Sequence, residues 1–305
     1  MKWTKKGLIY CPDGKYSWAR HSALQPTPIF VSHNVIRVYV GFRDENGVSR
    51  VAFVDIDAEN PSVVLKVSEN PVLDIGIPGT FDENGVVPCA VIEREGKIYL
   101  YYAGYQLGQK VRFYGFGGLA ISEDGGNSFT RYSKVPIMDR TENELFFRAL
   151  HSIMFEDDVW KAWYGGGSEF TEGGNKTLPV YDIRYVESQD GINFKKKGRV
   201  CLGIRGPDEY RLGRPYVIKD ENIYRMFYGR ATKSKGYRLG YAESKDGINW
   251  IRKDEEIGID VSESGWDSQM IAYPSVVRYK DRTYMFYNGN NMGETGFGYA
   301  VLKEC

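Results

Sequence analysis

A chain of 305 residues, 42% of them hydrophobic and 26% charged, has the composition of a soluble globular protein able to bury a large core. Its 40 basic and 40 acidic residues cancel, so no global field draws it to nucleic acid or to a membrane surface. Cys11, Cys89, Cys201 and Cys305 lie far apart without CxxC or His-rich spacing, and no stretch is apolar for long enough to form a leader or a membrane span, so the expected setting is the cytoplasm.

In chain order one unit recurs. Pro26-Thr27-Pro28-Ile29-Phe30 turns into Arg37 to Phe42, and Pro88-Cys89-Ala90-Val91-Ile92 passes Glu95-Gly96-Lys97 into Tyr99 to Gly104. His151 to Phe155 leads to Trp160 to Gly165, Pro215 to Ile218 leads to Tyr224 to Gly229, and Tyr273 to Val277 leads to Tyr284 to Gly289. Short apolar runs around polar turns predict hairpins. A third strand follows at Gly118 to Ser122, Arg184 to Ser188, Gly240 to Ser244 and Gly298 to Leu302. Three of these run into Ser-x-Asp-Gly turns that end on Phe129, Phe194 and Trp250, each expected to open a fourth strand. Asp124, Asp190 and Asp246 read as turn residues, because Asp accepts from nearby backbone N–H groups and Gly tolerates positive φ.

The last unit has no fourth strand after Leu302, but Trp3-Thr4-Lys5-Lys6-Gly7 repeats the pattern of Phe194-Lys195-Lys196-Lys197-Gly198. The prediction is an all-β, five-bladed β-propeller, closed by the N-terminal strand completing the last blade, with residues 1–305 as a single domain. Aligning the inner strands on Pro26, Pro88, Ser152, Pro215 and Pro274 gathers candidate residues at the channel mouth. Blade one brings Trp18, Arg20, His21 and Gln25; blade two brings Asp82, Glu83 and Asn84; blade three brings Glu144, Arg148 and His151. Blade four adds Asp208, Glu209, Arg211 and Arg214, and blade five adds Trp266, Asp267, Gln269 and Tyr273. Strand-end Arg43, Asp44, Tyr105, Arg230, Asn288 and Asn290 are expected at the rim.

This blade pattern, with Phe81-Asp82-Glu83-Asn84-Gly85-Val86-Val87-Pro88, the Ser-x-Asp-Gly turns and Trp266-Asp267 before Tyr273-Pro274, resembles the five-bladed glycoside hydrolase superfamily. That group holds the family forty-three arabinanases and xylosidases, the invertases and levansucrases, and the mannoside phosphorylases. The resemblance implies a carboxylate base or nucleophile from blade one, an Asp that tunes the acid from blade two, and a Glu acid from blade three. Asp82, with Glu83 beside it, matches the second position. Glu144 stands upstream of the third, and Trp18 to Pro28 holds no carboxylate.

Glycoside hydrolysis needs one protonated and one ionised carboxyl, for which Asp82, Glu83, Glu144, Asp208, Glu209 and Asp267 are the candidates. Arg20, Arg148, Arg211 and Arg214 suit capture of a carboxylate or phosphate; the plainer alternative pairs each with a nearby acid. His21 and His151 read as proton shuttles or ligand contacts, or as satisfied inner-strand histidines. Trp18 and Trp266 read as sugar-stacking platforms or as packing between blades. No cofactor is expected, although the axis has room for a structural metal ion. The expected ligand is a small saccharide, sugar phosphate or nucleotide sugar. Three functions fit: a glycosidase acting on an anionic or phosphorylated saccharide, a phosphate-dependent glycoside phosphorylase, and a non-catalytic saccharide-binding protein of polysaccharide biosynthesis.

Overall fold

The computed structural model describes residues 1–174, 176–194 and 196–303; Lys195 of the repeated lysine run and Cys305 lie outside the described residues. Strand β1 (Trp3–Tyr10) belongs to the last sheet. The chain then lays down β2 (His21–Ser32), β3 (Val35–Arg43), β4 (Ser49–Asp57) and β5 (Val64–Val67) as an antiparallel sheet. Next come β6 (Val86–Arg94), β7 (Lys97–Leu107), β8 (Phe113–Ser122) and β9 (Thr130–Arg131), followed by β10 (Phe147–Glu156), β11 (Val159–Gly173), β12 (Lys176–Ser188) and β13 (Arg199–Leu202). The fourth sheet is β14 (Glu209–Asp220), β15 (Ile223–Thr232), β16 (Arg238–Ser244) and β17 (Trp250–Arg252). The fifth is β18 (Ala272–Tyr279), β19 (Arg282–Asn288) and β20 (Phe297–Leu302), and its fourth strand is β1, with Trp3 opposite Leu302 and Tyr10 opposite Phe297. Innermost strands touch in a cycle, β2 on β6, β6 on β10, β10 on β14, β14 on β18, and β18 back on β2. This is a five-bladed β-propeller.

Period-two alternation explains the packing, because neighbouring side chains on a strand point to opposite faces and each blade has two blades to pack against. Tyr102 joins a core with Tyr39 and Phe53 of blade one, while the adjacent Tyr101 joins one with Leu150 and Tyr164 of blade three. Trp163 and Tyr164 divide in the same way, as do Phe227 and Tyr228. Trp3 packs edge-on against Phe227 at 6.1 Å, so the closing strand also seals the junction between blades four and five.

The Ser-x-Asp-Gly turns latch neighbouring blades. Tyr39 donates to the Gly126 carbonyl at 2.9 Å, Tyr101 to Gly191 at 2.8 Å and Trp163 Nε1 to Gly247 at 2.7 Å, in each case from the preceding blade. Partial burial opposes ionisation of Asp124, but hydrogen bonds from Ser122, Ser128 and Asn127 outweigh it and bring its pKa to about 2. Asp190 and Asp246 are held low by similar donors, led in Asp246 by the backbone N–H groups of Asn249 and Ile248. A folded-state pKa below the unfolded value near 3.9 gives stability that is present above about pH 4 and lost as pH falls towards 2. Urea midpoints are therefore expected to drop over that window, and replacing all three Asp by Asn should flatten the drop.

Phe194 does not open the fourth strand of blade three; it is buried in the core between blades two and three, and β13 begins only at Arg199. The β11–β12 hairpin is also longer than its sequence pattern suggested, with strands of 15 and 13 residues. Among the described residues, no helix is long and apolar enough to cross a membrane.

Candidate functional site

Each innermost strand breaks register at the same level, between Leu24/Thr27, Pro88/Ala90, Leu150/Ser152, Gly213/Tyr216 and Ala272/Ser275. Such bulges re-aim side chains, and here they carry Gln25, Cys89, His151, Arg214 and Tyr273. Gln25, Arg214 and Tyr273 take φ of 53°, 54° and 56°, each immediately before a proline. Three left-handed non-glycine residues around one axis mark backbone strain that is held in place by the ring.

Arg214 closes the floor. It is 1% exposed, and it donates to the Cys89 carbonyl at 2.7 Å, the Pro26 carbonyl at 2.9 Å and Thr27 Oγ1 at 2.8 Å, tying blade four to blades one and two. Burial lowers its pKa to about 10, so the guanidinium remains charged at neutral pH. A cation thus occupies the axial position considered for a metal ion. Burial and the Arg214 charge push His151 well below the usual imidazole range, and its Nδ1 is buried without a partner.

Beside this floor lies a cavity of about 280 Å³, lined by residues from all five blades. Gln25 and Arg43 come from blade one, Asn84, Tyr105 and Arg112 from blade two, Phe147 and Tyr181 from blade three, Arg211 from blade four and Tyr273 from blade five. Arg211 is 6% exposed, and its guanidinium carbon stands 4.5, 5.2 and 5.3 Å from the ring centres of Tyr237, Tyr210 and Tyr181. Among the described residues its one side-chain hydrogen bond is a long 3.4 Å contact to the Tyr210 hydroxyl, and its Nε is buried without a partner. Arg43 Nε is likewise buried and unpartnered. Among the described residues, no carboxylate pairs with Arg43, Arg112 or Arg211, and none lines the cavity.

The acids are engaged elsewhere, in clasps built on a repeated tyrosine of the second strand. Asp82, fully buried, accepts from Arg131 at 2.7 Å and from Tyr102 at 3.0 Å. Glu144, also fully buried, pairs with Arg148 at 3.2 Å and Arg184 at 3.4 Å and accepts from Thr141 and Tyr164. Asp267 takes Lys5 at 2.7 Å and Tyr287 at 3.0 Å. In blade four, Tyr228 donates to Asp254, and Arg252 bridges Asp254 and Glu209. Glu83 accepts from Gly79 N and Gln106, and Asp208 binds Ser234 in an outer loop. None of the six carboxylates expected to catalyse therefore faces the cavity. Asp82, Glu144, Glu209 and Asp267 are held by cations or phenols between blades, with Asp82 Oδ1 buried and unpartnered, whereas Glu83 and Asp208 accept from nearby N–H and hydroxyl groups.

Of the expected binding residues, Gln25, Asn84, Arg211 and Tyr273 line the cavity and Arg214 and His151 form its floor. Arg148 lies in the Glu144 clasp, and Arg20 donates to the Gly14 carbonyl at 2.6 Å at the surface. His21 bonds Ser22, and Gln269 is exposed outside the cavity. Trp18 packs on Phe42 at 5.9 Å and Trp266 stacks on Tyr287 at 5.2 Å, both as blade packing. From the rim set, Arg43 and Tyr105 line the cavity, whereas Asn288 is buried and donates to the Ala23 carbonyl. Arg112, Phe147 and Tyr181 also line the cavity and were not among the residues expected there.

No protein-family model matches the chain. It is 34% identical over 304 residues to the uncharacterized protein Rv1502 of Mycobacterium tuberculosis strain H37Rv, and 33% identical to the uncharacterized protein MT1551 of strain CDC 1551, covering 100% of this chain and of each relative. Similar solved structures include β-1,2-mannobiose phosphorylase from Listeria innocua (TM-score 0.74, 13% identity, covering 99% of this chain and 96% of that one). Others are a glycoside hydrolase (TM-score 0.73, 18%, 99% and 92%) and a thermostable family-43 glycoside hydrolase (TM-score 0.67, 17%, 92% and 88%). At these identities the likeness is one of fold.

Proposed function

Given that the chain belongs to the family of the uncharacterized proteins Rv1502 and MT1551 and has the fold of the propeller glycoside hydrolases and phosphorylases, we propose that its axial cavity binds an anionic saccharide without hydrolysing it, within one domain of residues 1–305. The observation that carries this reading is a cavity lined by Arg43, Arg112 and Arg211 and by no carboxylate among the described residues. Glycosidic hydrolysis needs two carboxyl groups roughly 5–9.5 Å apart across the scissile bond, one protonated and one ionised. The cavity offers phenols, amides and guanidinium groups instead. A buried guanidinium without a counter-ion is costly, and a bound oxyanion removes that cost with charge-assisted hydrogen bonds. Tyr181 and Phe147, stacked on each other at 4.8 Å, give the cavity an apolar wall for a sugar ring.

Phosphorolysis is the second reading, supported by the same arginines as a phosphate site and by the phosphorylase among the structural neighbours. Calorimetric titration with uronates, sugar phosphates and neutral sugars, run beside an assay for released reducing sugar, separates the three. The expected result is saturable binding of the charged sugars and no glycoside cleavage. Cleavage that depends on added phosphate would establish phosphorolysis, and phosphate-independent cleavage abolished by Asp82→Asn would establish hydrolysis.

A further inference from the structure

Resting on that reading, we infer that the ligand is a single sugar unit carrying one oxyanion group and that it enters charge first, so that the oxyanion meets Arg211 and Arg43 and the neutral end faces the mouth. The volume limits the size. About 280 Å³ lies at the small end of ligand pockets, which run from roughly 300 to 1,000 Å³, and it has room for one ring and one small charged group. A nucleotide sugar or a charged disaccharide would extend beyond it.

The gradient of exposure sets the direction. Gln25, Arg211 and Phe147 are 7%, 6% and 4% exposed, whereas Leu107 at the mouth is 73% exposed. Of the three arginines that line the cavity, Arg211 and Arg43 carry a buried, unpartnered Nε. Phe113, Pro179 and Met292 add apolar lining, and the third charge, Arg112, is solvent-exposed and therefore screened. A ligand with its charge outward would leave Arg211 unpaired among tyrosine rings while its anion met only the screened Arg112. Charge-inward binding pairs the buried groups and leaves hydroxyls for Gln25 and Asn84, which line the cavity.

The experiment titrates the full chain with glucose 6-phosphate, galacturonate, their neutral parents glucose and galactose, inorganic phosphate and UDP-glucose, using wild type, Arg211→Met and Arg43→Met. At least one charged monosaccharide is expected to bind ten-fold or more tighter than its neutral parent, and both variants should shrink that ratio. The winning arm, phosphate or carboxylate, identifies the oxyanion. UDP-glucose binding tighter than either charged monosaccharide would overturn the single-unit inference while leaving an anionic saccharide site standing. Inorganic phosphate binding as tightly as the sugar phosphate would overturn it by placing the anion on a separate molecule. Equal binding of charged and neutral sugars would overturn both the inference and the reading beneath it. Unfolding of one variant leaves the other to report the ratio.

Discussion

Glu144→Ala is expected to lower the unfolding free energy by about 3–5 kcal/mol, the cost of removing one partner from a buried ion pair. Glu144 is fully buried and Arg148 is 1% exposed, so the substitution leaves a guanidinium whose hydrogen-bond partners among the described residues are the backbone carbonyls of Asp139, Phe194 and Lys196. It also strips the acceptor from the Tyr164 hydroxyl and one of the two acids from Arg184. Urea unfolding of the variant measures the loss, and ligand titration well below its melting temperature should find affinity unchanged. A catalytic Glu144 would give the reverse pattern, a stable protein that has lost turnover.

The second large effect concerns Arg211, and its two halves have opposite signs. Arg211→Met should weaken binding of the charged sugar by about 2–5 kcal/mol, as expected for truncating one side of a buried charge pair. Without ligand, the same variant should melt no lower than wild type, and higher if Met fills the tyrosine cage, because replacing an uncompensated buried charge by an apolar chain of similar length is neutral or stabilising. The pairing of lost affinity with kept stability identifies a group held ready for a ligand. Thermal melts with and without the sugar check it. A fall of several degrees in the ligand-free melt, with affinity intact, would make Arg211 a structural residue.

The propeller was legible because its signal is redundant: five hairpins, three Asp-Gly turns and an N-terminal segment written like a fourth strand all carry the same information. The floor of the site was legible for a related reason. Alignment on the prolines put Gln25, His151, Arg214 and Tyr273 at one level, and the bulges that turn them inward occur at that level in every blade. The acids were not legible, because whether a carboxylate faces a cavity or a cation is decided by partners far away in the chain. Arg131 reaches Asp82 across 49 residues, and Lys5 reaches Asp267 across 262. The tyrosines Tyr102, Tyr164, Tyr228 and Tyr287 stood in plain sight as strand residues, yet their hydroxyls acquire a role only when a neighbouring loop delivers an acid. Arg211 lines the cavity, but its isolation from acids is a tertiary fact, since Glu209, two residues before it, is taken by Arg252 from the outermost strand of the blade.

A crystal structure of the protein soaked with the tightest-binding charged monosaccharide tests the account most directly. The account predicts density for the oxyanion against Arg211, with N–O distances of about 2.7–2.9 Å, and the sugar ring between that group and the cavity mouth. A ring bound with its charged group in solvent, or with its anomeric oxygen against Asp82 or Glu144, would contradict it.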